Sequence, residues 1–505
     1  MGGPFSESDL AQLRDRGIPA AEAERQLALL RREPSHVRLD RPCVIGDGIE
    51  TIAPGEVPDL LVRHEAAARA GRLTKFVPAS GAATRMFQDL IAVLNAERGG
   101  DPAVALDLLR EMARLPFREQ LREAASRSGQ DLDELIAEGA FLEVLAALLG
   151  TEGLAYASIP KGLLPFHAYP EGSRTALEEH LVEAAGTVRG ADGSCRLHLT
   201  VSPEHLDRFR EALATTRPRH ERRLGVRFEV SFSVQKPATD TLSLGPDGEP
   251  QRDESGRLLL RPSGHGALIE NLNDLGGDVF LIKNIDNIQP DRLREATLLH
   301  KRALVGKLVE IEERARALVL ALESGAGPAL LREAEAFVRT RLNREPPSIP
   351  GDEARRRWLL GALSRPIRIC GVVRNTGEPG GGPFWVRDEA GGASLQIVEG
   401  AEIDRSSPSQ RAILEASTHF NPVDLACGVR DAHRRPFDLR GFVNPDAVII
   451  ARKFQAGREI KALERPGLWN GAMARWSTVF VEVPPATFTP VKTVVDLLRP
   501  EHQPL

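Results

Sequence analysis

Apolar positions along the chain switch between two periods. The opening stretch "SESDLAQLRDRGIPAAEAERQLALLRRE" repeats Leu, Ile and Ala at helical spacing behind Ser6, a capping residue followed by acidic side chains, and predicts helices through a 1–70 N-terminal arm. "RLTKFVPASGAATRMFQDLIAVL" then reads as a strand over Leu73–Val77, a turn of small residues over Ala79–Ala83 and a helix from about Thr84. Residues 88–150, rich in Ala, Leu, Glu and Arg, return to helical spacing. Strands and helices alternate next, in "SCRLHLTVSPEHLDRFREAL", "VRFEVSFSVQKP" and "SGHGALIENLNDLGGDVFLIKNIDN", before a second helical block over 292–364. Strands come back in "IRICGVVRN", "ASLQIVEG", "DAVIIARK" and "TVFVEVP". Strands separated by helices pair in parallel through crossover connections, so the expected fold is α/β, a doubly wound, mostly parallel sheet with helical insertions. The expected division is a helical arm at 1–70, an α/β core at 71–291 carrying the 88–150 insertion, a further helical insertion at 292–364, and a C-terminal segment at 365–505.

Composition narrows the classes. With 505 residues the chain can bury a sizeable core, and 42% apolar against 27% charged residues is the balance of a globular protein. No apolar run approaches the roughly 18 residues of a membrane span. The start "MGGPFSESDLAQ" has no basic stretch ahead of an apolar one, so neither membrane nor secretory signal is expected and the location reads as cytoplasmic. Cys43, Cys195, Cys370 and Cys427 lie far apart without Cys-x-x-Cys spacing, which argues against a disulfide framework and a zinc site. A net charge of −5 spread along the chain carries no basic footprint for nucleic acid.

Chemistry is therefore sought at strand ends, where ligands collect in doubly wound sheets and small residues let backbone N–H groups approach phosphates. "PASGAATRM" offers Ser80, Gly81, Ala82 and Ala83 as such a turn, with Arg85 just beyond; the plain alternative is a tight strand-to-helix connection. "IPKGLLPF" sets Lys161 between Pro160 and Gly162, which deny it a helix or a central strand, although a solvated loop lysine reads the same way. His265 stands between Gly264 and Gly266, and some twenty residues on Asp286 ends an apolar run beside Asn284 and Asn287. A carboxylate at a strand end can hold Mg²⁺ or a ribose hydroxyl, while the asparagines also read as caps. The fourth stretch, "TFTPVKTVVDLL", brings Lys492 shortly after Pro490.

In this order, these stretches resemble UTP–glucose-1-phosphate uridylyltransferases and related UDP-sugar pyrophosphorylases. "PSGHGALIENL" with "DVFLIKNIDN" is similar to their Gly-His-Gly loop and Asn-Ile-Asp-Asn strand end, and "FSVQKPATDT" to the strand whose Gln reads the uracil. "TFTPVKTVVDLL" resembles their Pro-Val-Lys-Thr segment, and "ASGAATRM" with "PKGLLPF" resembles the two halves of their nucleotide loop. The whole chain is also similar to a bacterial family described only as a domain of unknown function (4301). Here the loop halves are well separated, Arg85 and Lys161 standing seventy-six positions apart, and the first half holds a single glycine.

The resemblance implies a nucleotidyltransferase that converts a nucleoside triphosphate, UTP first among them, and a sugar 1-phosphate into a nucleotide sugar and pyrophosphate with Mg²⁺. It assigns catalysis to Arg85, Lys161 and Lys492, nucleotide binding to Ser80, Gly81, Ala82, Ala83, Gln235, Gly264, His265 and Gly266, and the metal to Asp286. The acceptor falls to Asn284, Glu378, Glu399 and Asn421. Such a reaction chiefly demands neutralised phosphates and no protein nucleophile, in keeping with a sequence that shows no Ser/His/Asp set. A non-catalytic nucleotide or nucleotide-sugar binding protein of the same fold, and a nucleotidyltransferase acting on a non-sugar phosphate, are the alternatives. "ERPGLWNGAMARW" places Trp469 and Trp476 near Asn470, a pattern for stacking on a sugar or for plain packing.

Overall fold

The computed structural model describes residues 4–504 apart from 33–35, 82, 96–101, 326, 378–379, 388–391 and 456–457. The chain packs as two units gathered from separated stretches: Met1–Ala67, Ser233–Ile282 and Arg302–Val483 form the first, and Ala68–Phe232, Lys283–Lys301 and Pro484–Leu505 the second. This division interleaves the blocks read from the sequence.

In the first unit, the helix Glu7–Arg16 begins at Ser6, whose hydroxyl accepts the Asp9 N–H while the Asp9 carboxylate accepts the Ser6 N–H, and it ends at Gly17 with φ 74°. The helix Ala20–Arg31 follows. Leu13, Ala23, Leu27 and Leu30 of this pair pack with Leu242, Leu244 and Leu463, on a three-stranded sheet of Ser243–Leu244, Arg458–Glu464 and Ile449–Gln455. Helix does not run through the rest of the arm, contrary to the sequence reading: Leu39–Pro42, Val44–Ile45 and Gly48–Glu50 are strands ahead of the helix Val57–Arg69. Pro42, and Gly46 and Gly48 with φ of 85° and 91°, are incompatible with a helix there.

The main sheet of this unit runs Val44–Ile45, Gly48–Glu50, Ser477–Glu482, Ile367–Arg374, Asp424–Gly428, Val279–Lys283. Its first three pairings are parallel, and Asp424–Gly428 joins Ile367–Arg374 antiparallel. The expected 292–364 block is helical, as Asp291–Ser324, Pro328–Arg341 and Asp352–Leu363.

The second unit is built on Leu73–Pro78, Ser194–Val201 and Arg227–Val234, neighbours in that order. The first two are parallel, with Lys75 opposite Leu197 and Pro78 opposite Thr200. Between them comes the helix Ala176–Thr187, opened by a capping box of Thr175 and Glu178. The helix Leu206–Leu224 connects onward and stops at Gly225, φ 61°. Residues 88–150 fold into the short helices Gln88–Leu94, Pro102–Arg110, Arg118–Arg127, Leu132–Glu138 and Phe141–Leu149. The first starts later than the sequence suggests, because a 3₁₀ turn over Ala83–Arg85 intervenes. Parallel pairing prevails in the large sheet, whereas the small three-stranded sheets pair antiparallel, so the fold is α/β with a large, mostly parallel sheet. Among the described residues no helix is long and apolar enough to cross a membrane.

Candidate active site

At the end of the strand Leu73–Pro78, Ala79 donates its N–H to the Thr200 carbonyl at 2.8 Å, and the Ser202 hydroxyl donates to the Ser80 carbonyl at 3.1 Å. Ser80 and Gly81 are exposed beyond it, and Ala82 lies outside the described residues. Gly81 avoids positive φ, and a Cβ there would meet nothing within 4 Å. Ordinary torsions explain how a turn rich in alanine can stand where several glycines might be expected. The Lys161 N–H donates to the Gly81 carbonyl at 3.2 Å, the Ala83 N–H to Ile159 at 3.1 Å, and the Thr84 hydroxyl to Ala157 at 3.0 Å. Loop halves far apart in sequence thus lie side by side. The Ala83 N–H is thus engaged by a backbone carbonyl. Arg85 closes the 3₁₀ turn with its side chain exposed.

Lys161 opens its own 3₁₀ turn, Lys161–Leu163, and its ammonium donates to Asp286 Oδ2 at 3.1 Å and to the Val491 carbonyl at 3.0 Å. A Cβ on Gly162 would come within 3.0 Å of the Phe209 ring and 3.2 Å of Ile285, so glycine lets this turn sit close against the strand end. Backbone bonds fix the partners in place: the Val491 N–H donates to the Asp286 carbonyl at 3.0 Å, and the Thr489 N–H to Asn287 Oδ1 at 3.1 Å. The Val494 N–H reaches the Met86 carbonyl at 3.0 Å, which ties this segment to the Ala83–Arg85 turn. Lys492 is exposed, and its N–H donates to Asp496 Oδ2 at 2.8 Å at the start of the turn Val494–Leu498. Asn284 is half-buried, with its carbonyl accepting the Asn287 N–H at 3.3 Å.

Four separated segments, around Gly81–Arg85, Lys161, Asn284–Asn287 and Val491–Lys492, therefore converge within one unit. The Asp286 side chain keeps 24% of its surface exposed against 11% for Lys161, so the carboxylate is open to solvent while the lysine stem is covered. Among the described residues no three His, Cys, Asp or Glu side chains gather as a metal site. Asp286 with Asn284 offers hard oxygen donors from the protein, and Mg²⁺ commonly binds through one or two carboxylates plus the oxygens of a phosphate ligand. The donor set fits Mg²⁺ only together with such a ligand.

The other predicted residues belong to the first unit. Gln235 follows the strand Arg227–Val234, and its Nε2 is buried without a hydrogen-bond partner. Gly264 has φ 76°, and a Cβ on Gly266 would collide with the Pro466 carbonyl oxygen and lie 2.7 Å from that of Arg465, so both glycines are demanded by backbone. His265 between them stacks on Trp469, ring centroids 4.1 Å apart and planes 9° from parallel. Its Nδ1 accepts the Leu468 N–H at 3.0 Å, and burial lowers its proton affinity despite Glu399 and Glu464. Glu399 Oε1 accepts the Trp469 indole N–H at 3.3 Å. His265, Trp469 and Glu399 thus form one cluster. Asn421 does not join it: its amide donates to the Gly371 carbonyl at 2.7 Å and its oxygen accepts the Val423 N–H at 3.0 Å, next to a valine held at φ 56°. Its functional ends serve the backbone. Glu378 lies outside the described residues.

Sequence reasoning passed over Glu402, whose carboxylate accepts the Glu399 N–H at 2.7 Å and the Asn470 amide at 2.6 Å, and whose pKa burial pushes up to about 7. It also passed over Lys75 and Lys283, both fully buried. Their signal was present, since each interrupts an otherwise apolar strand in "LTKFVP" and "VFLIK".

The chain is thus an α/β protein with a polar, charge-bearing cluster at strand ends. It belongs to the family described as Domain of unknown function (DUF4301), whose model matches residues 6–503. No curated protein matches it. Among solved structures it is similar to a UDP-glucose pyrophosphorylase from Leishmania major, at 13% identity and TM-score 0.46, covering 99% of this chain and 79% of the other. A uridine diphosphate N-acetylglucosamine pyrophosphorylase from Trypanosoma brucei is similar at 13% identity and TM-score 0.48, covering 98% and 79%.

Proposed function

We propose that the chain is a Mg²⁺-dependent nucleotidyltransferase that makes a nucleotide sugar and pyrophosphate from a nucleoside triphosphate, UTP first among them, and a sugar 1-phosphate. The observation that carries this reading is the side-by-side placement of the Gly81–Arg85 and Lys161 segments with Asp286 and Val491–Lys492. An ionised oxygen of the sugar phosphate attacks the α-phosphorus, the bond to the bridging β-phosphate oxygen breaks, and pyrophosphate leaves with the electron pair. Arg85 and Lys161 neutralise the departing phosphates, and Lys492 offsets the repulsion between attacking phosphate and α-phosphate, an interaction that strengthens toward the transition state. Asp286, with Asn284 beside it, would hold Mg²⁺ against the phosphates, where the ion would supply further charge neutralisation. Gln235, with a buried amide lacking a partner, suits a polar base edge, and Glu399 and His265 keep the ligand-contact roles that the sequence resemblance implies. Four buried free cysteines support a cytoplasmic location.

A second reading, a non-catalytic nucleotide-binding protein, is favoured by one feature: Lys161 is neutralised by Asp286 and the Ala83 N–H is occupied, which leaves a thinner phosphate cradle. The occupied Asn421 amide likewise favours an acceptor other than a sugar. Pyrophosphate release with Mg²⁺, each of the four common nucleoside triphosphates and a panel of sugar 1-phosphates separates these readings. The expected result is release with at least one pair and a fall in kcat of about 10²–10³ for Lys492→Ala, with nucleotide affinity changed several-fold at most. A parent that binds UTP yet releases no pyrophosphate with any acceptor is a binding protein.

A further inference from the structure

In the first unit a buried carboxyl group stands behind an accessible one. Glu402 closes the short turn Gly400–Glu402 after the strand Ala393–Val398 and is 7% exposed, whereas the side chains of Glu399 and His265 each keep 30% of their surface. Glu402 Oε2 accepts two N–H groups at once, the Glu399 main-chain N–H at 2.7 Å and the Asn470 amide at 2.6 Å. Asn470 Oδ1 is buried without a partner, so Glu402 alone fixes that amide. The residue before it, Trp469, donates its indole N–H to Glu399 Oε1 at 3.3 Å and stacks on His265.

These bonds close a circuit that runs from Glu402 to the Glu399 backbone, from the Glu399 side chain to Trp469, along the chain to Asn470, and back to Glu402. Trp469 is itself held from below, because the fully buried Arg368 donates to its carbonyl at 2.5 Å. A Cβ on Gly467 would come 2.7 Å from the His265 ring, so glycine lets the turn that carries Trp469 and Asn470 press against that ring. With Trp469 fixed, the placement of the Glu399 carboxylate is set by Glu402. A side chain behind a ligand-contacting group that locks its orientation is as much part of a site as the contact itself. We propose that Glu402 is a positioning residue, which holds the Glu399 carboxylate and the Trp469 ring in the arrangement that receives a ligand hydroxyl. This rests on the acceptor-binding role proposed for Glu399 and adds the group that sets it.

Glu399 acts on Glu402 from the strand end, and His265 of the glycine loop lies beyond it, its Nε2 3.9 Å from Glu399 Oε1. Asn470 faces Glu402 from its own turn without charge, and on the arm side His36 acts on Asp404. Burial, opposed by the Glu399 N–H and the Asn470 amide and reinforced by the Glu399 charge, pushes the Glu402 carboxyl up to about 7. A ligand that covers Glu399 removes the water screening the two carboxylates, which favours the neutral form of Glu402. Binding therefore takes up a proton, and affinity is greatest below 7 and falls as pH climbs through 7 toward the raised value.

The test is calorimetric titration of UDP-glucose and of UDP-N-acetylglucosamine, whose phosphate oxygens stay ionised throughout, between pH 6 and 8 in two buffers of different ionisation enthalpy. It compares the parent, Glu402→Gln and Glu402→Ala, with tryptophan emission and thermal melting alongside. The parent should bind at least one ligand, take up a fraction of a proton, and bind about three- to tenfold more weakly at the upper pH, the effect of a pKa raised by half a unit to one unit. Glu402→Gln, whose amide oxygen accepts the same two N–H groups, should keep the parent's affinity and emission at the lower pH and lose the pH dependence. Glu402→Ala opens the circuit, so at the lower pH it should bind about tenfold more weakly than the parent, the order of one lost hydrogen bond, with its tryptophan emission shifted. Glu402→Gln carries the test should Glu402→Ala not fold. A Glu402→Gln that keeps the parent's pH dependence, or a Glu402→Ala that keeps its affinity and emission, overturns the positioning role alone. A parent that binds neither ligand at any pH overturns the acceptor-binding role of Glu399, and the positioning role with it.

Discussion

Lys161 holds its ammonium between the Asp286 carboxylate and the Val491 carbonyl, so the lysine and the carboxylate of the proposed reaction neutralise each other. Asp286→Asn keeps the shape and a hydrogen-bond acceptor for Lys161 but removes the charge. Because the pair is partly exposed, its loss should cost about 1 kcal/mol or less in thermal unfolding. Mg²⁺-dependent turnover should collapse, and pyrophosphate should bind more tightly in chelator because Lys161 is no longer neutralised. A variant that unfolds while its residual activity keeps the same metal dependence would make Asp286 structural. At this scale the meeting of Lys161 with Asp286 was legible because proline, glycine and a strand end surround them. The role of Asn421 was not, since its use depends on the backbone of Val423, which no spacing rule reveals. Lys75 and Lys283 share a glutamate about a hundred positions away from each, and an ion pair of that span leaves no local pattern.

At the level of elements, the glycine-histidine-glycine loop is held by close approach to the 465–466 backbone. A methyl group at Gly266 would run into main-chain oxygens that cannot rotate away. Gly266→Ala should therefore destabilise by about 1–3 kcal/mol and shift His265 off Trp469, seen as a lower melting temperature and altered tryptophan fluorescence. Unchanged melting and emission would mean that the loop has room the geometry denies. Many strands and helices from 71 onward were readable from their periods, because alternation between two and three-to-four residues survives wherever one face is buried, but the strands Gly382–Arg387, Asp424–Gly428 and Arg458–Glu464 were not. The arm misled at Leu39–Glu50, where short strands of two to four residues carry too few positions to show a period. Their pairing partners, at Trp385 and Phe480 among others, lie hundreds of residues on.

Across the whole molecule, the α/β class followed from the order of elements, whereas the two interleaved units did not, because long-range strand pairing decides which stretches pack together. The central claim, that the strand-end cluster of the second unit is a polyphosphate site, is tested most directly by calorimetric binding of UTP with Mg²⁺ to the parent and to Lys161→Met, which keeps the buried stem and deletes the charge. The parent should bind, and Lys161→Met should bind at least tenfold more weakly, about 1.4 kcal/mol, with an unfolding transition as cooperative as the parent's. Equal affinities, or a parent that binds no nucleoside triphosphate, would contradict it.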